Sequence, residues 1–143
     1  MGMLAGTAFS LSKVQTVGCS PEAAALYWYF VPLSLHFGWT TAATLVNLNG
    51  SVAMEESNSD STVIAVGHAS SIAAAALGIG VTLAQAAPAY GFTVAWALLA
   101  CAQGTSRVAN RGDTLKKGAR VQKVLCLAGS AACVATSLYK IFV

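Results

Sequence analysis

Two stretches of this chain, Ala23 to Val46 and Thr62 to Gln85, run for about 24 positions each without a charged residue. At helical rise such a run reaches roughly 36 Å, enough to cross a hydrocarbon layer of about 30 Å with some tilt. Hydrocarbon offers no partner to a free backbone amide, so a segment of this kind is expected to be helical. Of the 143 residues, 56 % are hydrophobic and 9 % charged, against roughly 25 % charged in an ordinary soluble domain. The mean hydropathy is +0.65. Eight basic and five acidic side chains cannot cover the surface that a soluble domain of this size leaves in water. The expected class is therefore all-α, an integral membrane bundle of about four transmembrane helices.

Punctuation along the chain divides it. Residues 1–20 are mildly apolar with one lysine, too short for a full span, and stay unassigned. Residues 21–143 form the four-helix transmembrane domain, with spans expected at about 22–47, 62–85, 88–103 and 121–143. Ser20-Pro21-Glu22 offers a helix start, Tyr27, Trp28, Tyr29 and Phe30 an interfacial belt, and Pro32 a kink near Trp28. Asn47 to Ser61 is polar and acidic and reads as the first loop. The second span is dense in small residues, among them Gly67, Ala73 to Ala76, Gly78 and Gly80, a composition that lets helices approach closely. A matching small face is expected on the fourth, at Ala128, Gly129, Ala131 and Ala132. Ala86-Ala87-Pro88 makes a tight turn, and Asp113 starts the last helix before it enters the membrane.

A net charge of +3 gives no footprint for nucleic acid. The basic cluster Arg107, Arg111, Lys116, Lys117, Arg120 and Lys123 sits between apolar segments and reads as a topology signal. It lies on the same side as the acidic loop, so the positive-inside rule places both loops in cytoplasm, stroma or matrix. Cys19, Cys101, Cys126 and Cys133 show no C-x-x-C spacing, which leaves no zinc or redox motif and makes helix packing their expected use.

The run Tyr29 to Asn47 (YFVPLSLHFGWTTAATLVN) resembles a segment of the tryptophan-rich sensory or translocator proteins: Pro, an apolar Ser-containing turn, Gly-Trp, then a small and Thr-rich stretch ending in Asn. Tyr90 to Leu99 (YGFTVAWALL) is similar to a later helix of the same group. Together they cover about 30 residues. The resemblance implies a five-helix bundle that binds porphyrins, sterols or other apolar ligands, here a shortened relative with four clear spans. This chain departs from that pattern in having only Trp28, Trp39 and Trp96 and no proline-rich loop.

None of the five carboxylates lies inside an expected span, Glu22 standing at the outer edge of the first, and no phosphate loop, metal spacing or nucleophile motif is present, so no catalytic residue, no metal site and no enzyme is expected. His36 and His68 are the candidate ligands, since a neutral imidazole in lipid can bind the metal of a haem or chlorophyll; Trp39 joins them as a candidate cofactor contact. The alternative for each His is a hydrogen bond to a backbone carbonyl, Ser or Thr. Their depths in a regular hairpin differ by roughly 16 Å, which excludes a shared bis-His haem.

Two functions fit these features. One is a non-catalytic accessory subunit among the other membrane subunits of a larger photosynthetic or respiratory complex, in a thylakoid or inner mitochondrial membrane, holding chlorophyll, another tetrapyrrole or lipid. The other is a stand-alone translocator-like protein that binds porphyrin or another apolar ligand. In both, the lipid bilayer is the solvent.

Overall fold

The computed structural model describes residues 23–104 and 113–143. Four helices occupy them: α1 (Ala23–Met54), α2 (Asp60–Gln85), α3 (Pro88–Gly104) and α4 (Asp113–Phe142). The segment 1–20 with Cys19, and the cations Arg107 and Arg111, lie outside the described residues, as do the side chains of Tyr27, Trp28 and Tyr29.

One boundary differs from the sequence expectation. α1 does not stop at Asn47 but continues to Met54, leaving a connection of only a few residues before Asp60. The extra turns are held by side chains: Ser51 Oγ donates to Asn47 O at 3.0 Å, and Asn58 Nδ2 reaches back to Val52 O at 2.9 Å. As expected, α4 begins at Asp113, about two turns before the apolar stretch, with Asp113 in its first turn and Lys140 in its last, both favourable to the helix dipole. α1 is continuous through Pro32.

The remaining ends follow local chemistry. Ser59 caps α2, its Oγ accepting from Thr62 N at 3.3 Å. At the other end Ala86 is left-handed (φ 47°, ψ 44°), and the N–H groups of Ala86 and Ala87 both turn to Thr82 O before Pro88 opens α3. The expected tight turn is there.

The chain runs up and down. α2 and α3 occupy the middle, each touching the other three helices, while α1 and α4 stand at opposite corners. The interior is built of small and hydroxyl-bearing side chains: Ser34, Thr40, Thr41, Ser70, Ser71, Thr82, Ser130 and Ser137 are buried beside Ala74, Ala95, Cys126 and Cys133. Large apolar side chains point outward, with Ile72 57 %, Trp96 60 % and Val124 65 % exposed. That distribution inverts the soluble rule.

α2 and α4 are each long and apolar enough to cross a membrane. Only 22 % and 28 % of their most apolar stretches is buried inside the protein, which sets them apart from the core helices of a soluble fold. α3 has 17 residues. The two long helices run side by side, Gly118 against Ile64, Gly67 against Gln122, Gly129 against Ala75 and Gly78 against Cys133. Of the small face expected on α4, Gly129 is buried whereas Ala128 and Ala131 are exposed; Gly118, Cys126 and Cys133 take the inner positions instead.

Two glycines on α2 test this packing. A Cβ at Gly78 would lie 2.5 Å from Cys133 Sγ and 3.1 Å from Val94 Cγ1, whereas one at Gly80 meets nothing within 4 Å. Gly78→Ala is expected to destabilise the bundle by about 1–3 kcal/mol, and Gly80→Ala to be neutral or stabilising by up to about 1 kcal/mol. Reversible unfolding in mixed micelles measures both; equal effects would contradict the packing.

Candidate functional site

The described helices enclose a half-open cavity of about 50 Å³ at the junction of all four. Ala42, Leu45 and Val46 of α1, Ala74 of α2, and Val94, Ala97, Leu98 and Cys101 of α3 make its apolar body. Its polar end is formed by Asn49, Ser70, Ser71 and Gln122. The helix stripes explain the convergence: Ala42, Leu45 and Asn49 recur along one side of α1, Ser70, Ser71 and Ala74 along one side of α2, and Val94, Leu98 and Cys101 along α3.

The polar end is held by interhelical hydrogen bonds. Ser70 Oγ donates to Asn49 Oδ1 at 3.0 Å, tying α2 to the extended end of α1. Gln122 Nε2 donates to Gly67 O at 3.0 Å and to Ser71 Oγ. Ser71 Oγ in turn lies 3.2 Å from Gly67 O and 3.4 Å from Cys126 Sγ. One turn outward, His68 Nε2 lies 3.1 Å from Gly118 O, a hydrogen bond in the tautomer protonated at Nε2. Together these bonds join α1, α2 and α4 at one level.

Deeper in the bundle the hydroxyls bond along their own helices or across to a neighbour. Thr41 Oγ1 donates to Phe37 O at 2.9 Å and accepts from Tyr90 Oη at 3.1 Å, and the ring of Phe37 sits 4.8 Å from that of Tyr90. Ser130 Oγ donates to Ala95 O at 2.8 Å, and Thr82 Oγ1 to Gly78 O at 2.6 Å. Cys126 and Cys133 are buried packing groups with free thiols.

The three residues singled out from the sequence fall in different places. Half-buried His68 bonds to Gly118 O of α4 and does not line the cavity. His36 is exposed on the outer side of α1. Trp39, 52 % exposed, pairs with Trp96 of α3, ring centroids 6.0 Å apart, on the outer surface. The structure does not bring the three into one pocket. The sequence marked Asn49 only as the acceptor of a little-used glycosylation sequon, Asn49-Gly50-Ser51, whereas its amide oxygen accepts from Ser70 inside the bundle; Gln122 was not singled out. The available signal was that Gln122 lies four residues before Cys126, the spacing of one helix face.

Among the described residues no three His, Cys, Asp or Glu side chains cluster as a metal site. Their one ion pair, Lys116 Nζ to Asp113 Oδ1 at 3.6 Å, is internal to α4 and does not join the acidic and basic ends of the bundle. The arrangement offers neutral donors and acceptors at the mouth of an apolar cleft, a chemistry of binding.

The model of the family described as TSPO-like protein matches residues 1–139. No curated protein and no solved structure matches the chain.

Removing either interhelical clamp is expected to cost about 1–2 kcal/mol. Gln122→Leu and His68→Leu, compared with the parent by unfolding in mixed micelles, measure it. A loss below about 0.3 kcal/mol in both would show that these bonds do not hold the bundle.

Proposed function

This chain belongs to the TSPO-like protein family, and from that premise we propose that it is a translocator-like membrane protein, non-catalytic, that takes up an amphipathic ligand between its helices. All four helices sit in the bilayer in this reading, with α1 and the short α3 beside the two long spans. The observation that carries the proposal is the cavity with its graded lining: Leu45, Val46, Ala97 and Leu98 favour hydrocarbon, and Asn49, Ser70, Ser71 and Gln122 favour a small polar head. A volume of about 50 Å³ admits that head and leaves the ligand's bulk outside, against the apolar mouth. Porphyrin, a flat apolar body with carboxylate ends, is the first candidate.

Family membership favours this over an accessory subunit of an organellar energy-transducing complex. The two differ in what purifies. Migration near the protein's own mass in blue-native electrophoresis supports the translocator-like reading, and recovery only within a large assembly overturns it.

Titrating the purified protein with protoporphyrin IX is expected to quench the fluorescence of Trp39 and Trp96 saturably. Ala74→Phe fills the cavity and is expected to weaken binding about tenfold or more, while Val124→Phe on the outer face of α4 leaves it unchanged. No saturable quenching, or equal affinity in Ala74→Phe, overturns the site. Haem in place of the metal-free porphyrin tests the two imidazoles: axial ligation by His68 or His36 requires that His68→Leu or His36→Leu release a stoichiometric share of bound haem.

A further inference from the structure

α4 is longer than a membrane crossing needs. From Val124 to Phe142 it carries one charge, Lys140, over about 19 residues or roughly 28 Å, close to the thickness of a hydrocarbon layer. The preceding turns, from Asp113 to Lys123, belong to the same helix and project beyond that layer. They carry Lys116, Lys117, Arg120 and Lys123, all exposed. At 3.6 residues per turn Lys116, Arg120 and Lys123 share one side, with Lys117 flanking it. Gly118, Gln122 and Cys126 lie on the opposite side, packed on α2. The cations therefore face away from the bundle.

Their level relative to the carboxylates matters as much. α2 and α4 enter from the same end, with Gly118 against Ile64 and Gln122 against Gly67. Asp60 then lies one turn further out than the Gly118–Ile64 contact, and Glu55 and Glu56 lie in the connection before it. Acids are outermost, in water, and Arg120 and Lys123 stand between them and the apolar stretch. Among the described residues only Lys116 has a carboxylate within 4.0 Å, the exposed Asp113. Lipid phosphates occupy the same level, at the boundary of hydrocarbon and water.

We propose that Lys116, Lys117, Arg120 and Lys123 form a docking face for anionic phospholipid headgroups, held at phosphate depth by the rigid extension of α4. The inference rests on the membrane placement of the preceding reading, not on its ligand cavity. Headgroup phosphates neutralise the outward stripe, and diacyl chains cover the exposed Val121, Val124 and Leu127 just below it. The bound lipids would form a collar beside α4.

Phosphatidylcholine vesicles with and without phosphatidylglycerol provide the test. The full-length protein is reconstituted, its flotation with the vesicles checked, and the lipids retained after mild detergent extraction counted by native mass spectrometry. The parent is expected to retain phosphatidylglycerol in preference to phosphatidylcholine, and to lose that preference as salt rises. At about fivefold per cation near an anionic surface, the variant K116Q/K117Q/R120Q/K123Q should retain at least about tenfold less, while Lys140→Gln at the far end changes nothing. K116R/K117R/K123R, which keeps every charge, should retain lipid as the parent does and guards against a folding defect. Equal retention by the parent and the glutamine variant overturns the proposal, as does displacement of the lipid by soluble glycerol phosphate. Failure to float overturns the membrane placement and the docking face with it, and porphyrin quenching in the same preparation reports on the cavity separately.

Discussion

Hydrocarbon gives a polar side chain nothing to bond to, and the interior of this bundle is arranged around that fact. Thr40, Thr41, Thr44, Thr93 and Thr136 each donate to a carbonyl three or four residues back in their own helix. Tyr90, Ser70 and Ser130 bond across to another helix. Either way the hydroxyl is satisfied without water, with Ser137 Oγ the exception among the described residues, so serine and threonine can occupy the close-packed positions that leucine fills in a soluble core. Bulky side chains are freed for the outer surface, where lipid solvates them. Small inside and large outside is one solution to a solvent that supplies no driving force for burying leucine.

The same constraint explains where the interhelical polar bonds sit. A glutamine and an asparagine deep in the bundle would need several partners each, and few are available there. Near the loop end, Gln122 reaches the Gly67 carbonyl and the Ser71 hydroxyl, and Asn49 accepts from Ser70. The cavity opens beside these groups because Ala42, Ala74 and Ala97 are too short to fill the junction that their helices enclose. Polar convergence and apolar under-packing coincide at one level, and that coincidence gives the cleft its graded character.

The helices of the described residues were legible in the sequence because charge-free runs, the Ala86-Ala87-Pro88 turn and the capping signal at Asp113 all act locally. Boundaries were less so. Asn47 to Met54 reads as loop by composition, yet it is helical because Asn49 finds Ser70 on another helix and Asn58 caps the end. Those partners are some 20 and six positions away, beyond a local pattern. Gln122 was hidden for a related reason: among Arg120 and Lys123 it looks like a solvated residue, and only the packing of α4 against α2 turns it inward. For His68 the sequence supplied the kind of partner, a backbone carbonyl, as one of two alternatives, but not its place at Gly118. Trp39 was picked out by its motif, while its pairing with Trp96 required the relative rotation of α1 and α3.

The side-by-side pairing of α2 with α4 also has a consequence for biosynthesis. Gln122 bonds to Gly67 across 55 positions, and Cys133 faces Gly78 at a similar separation. At roughly 5–20 residues per second, the ribosome needs about 3 to 11 s to supply the second partner after the first. Throughout that interval α2 presents Ser71, Gly78 and Thr82 with the α4 side of its groove vacant. A nascent chain halted before α4 therefore exposes an adhesive small-residue groove to any passing helix, a state in which a quality-control protease or insertion chaperone of the membrane would find it.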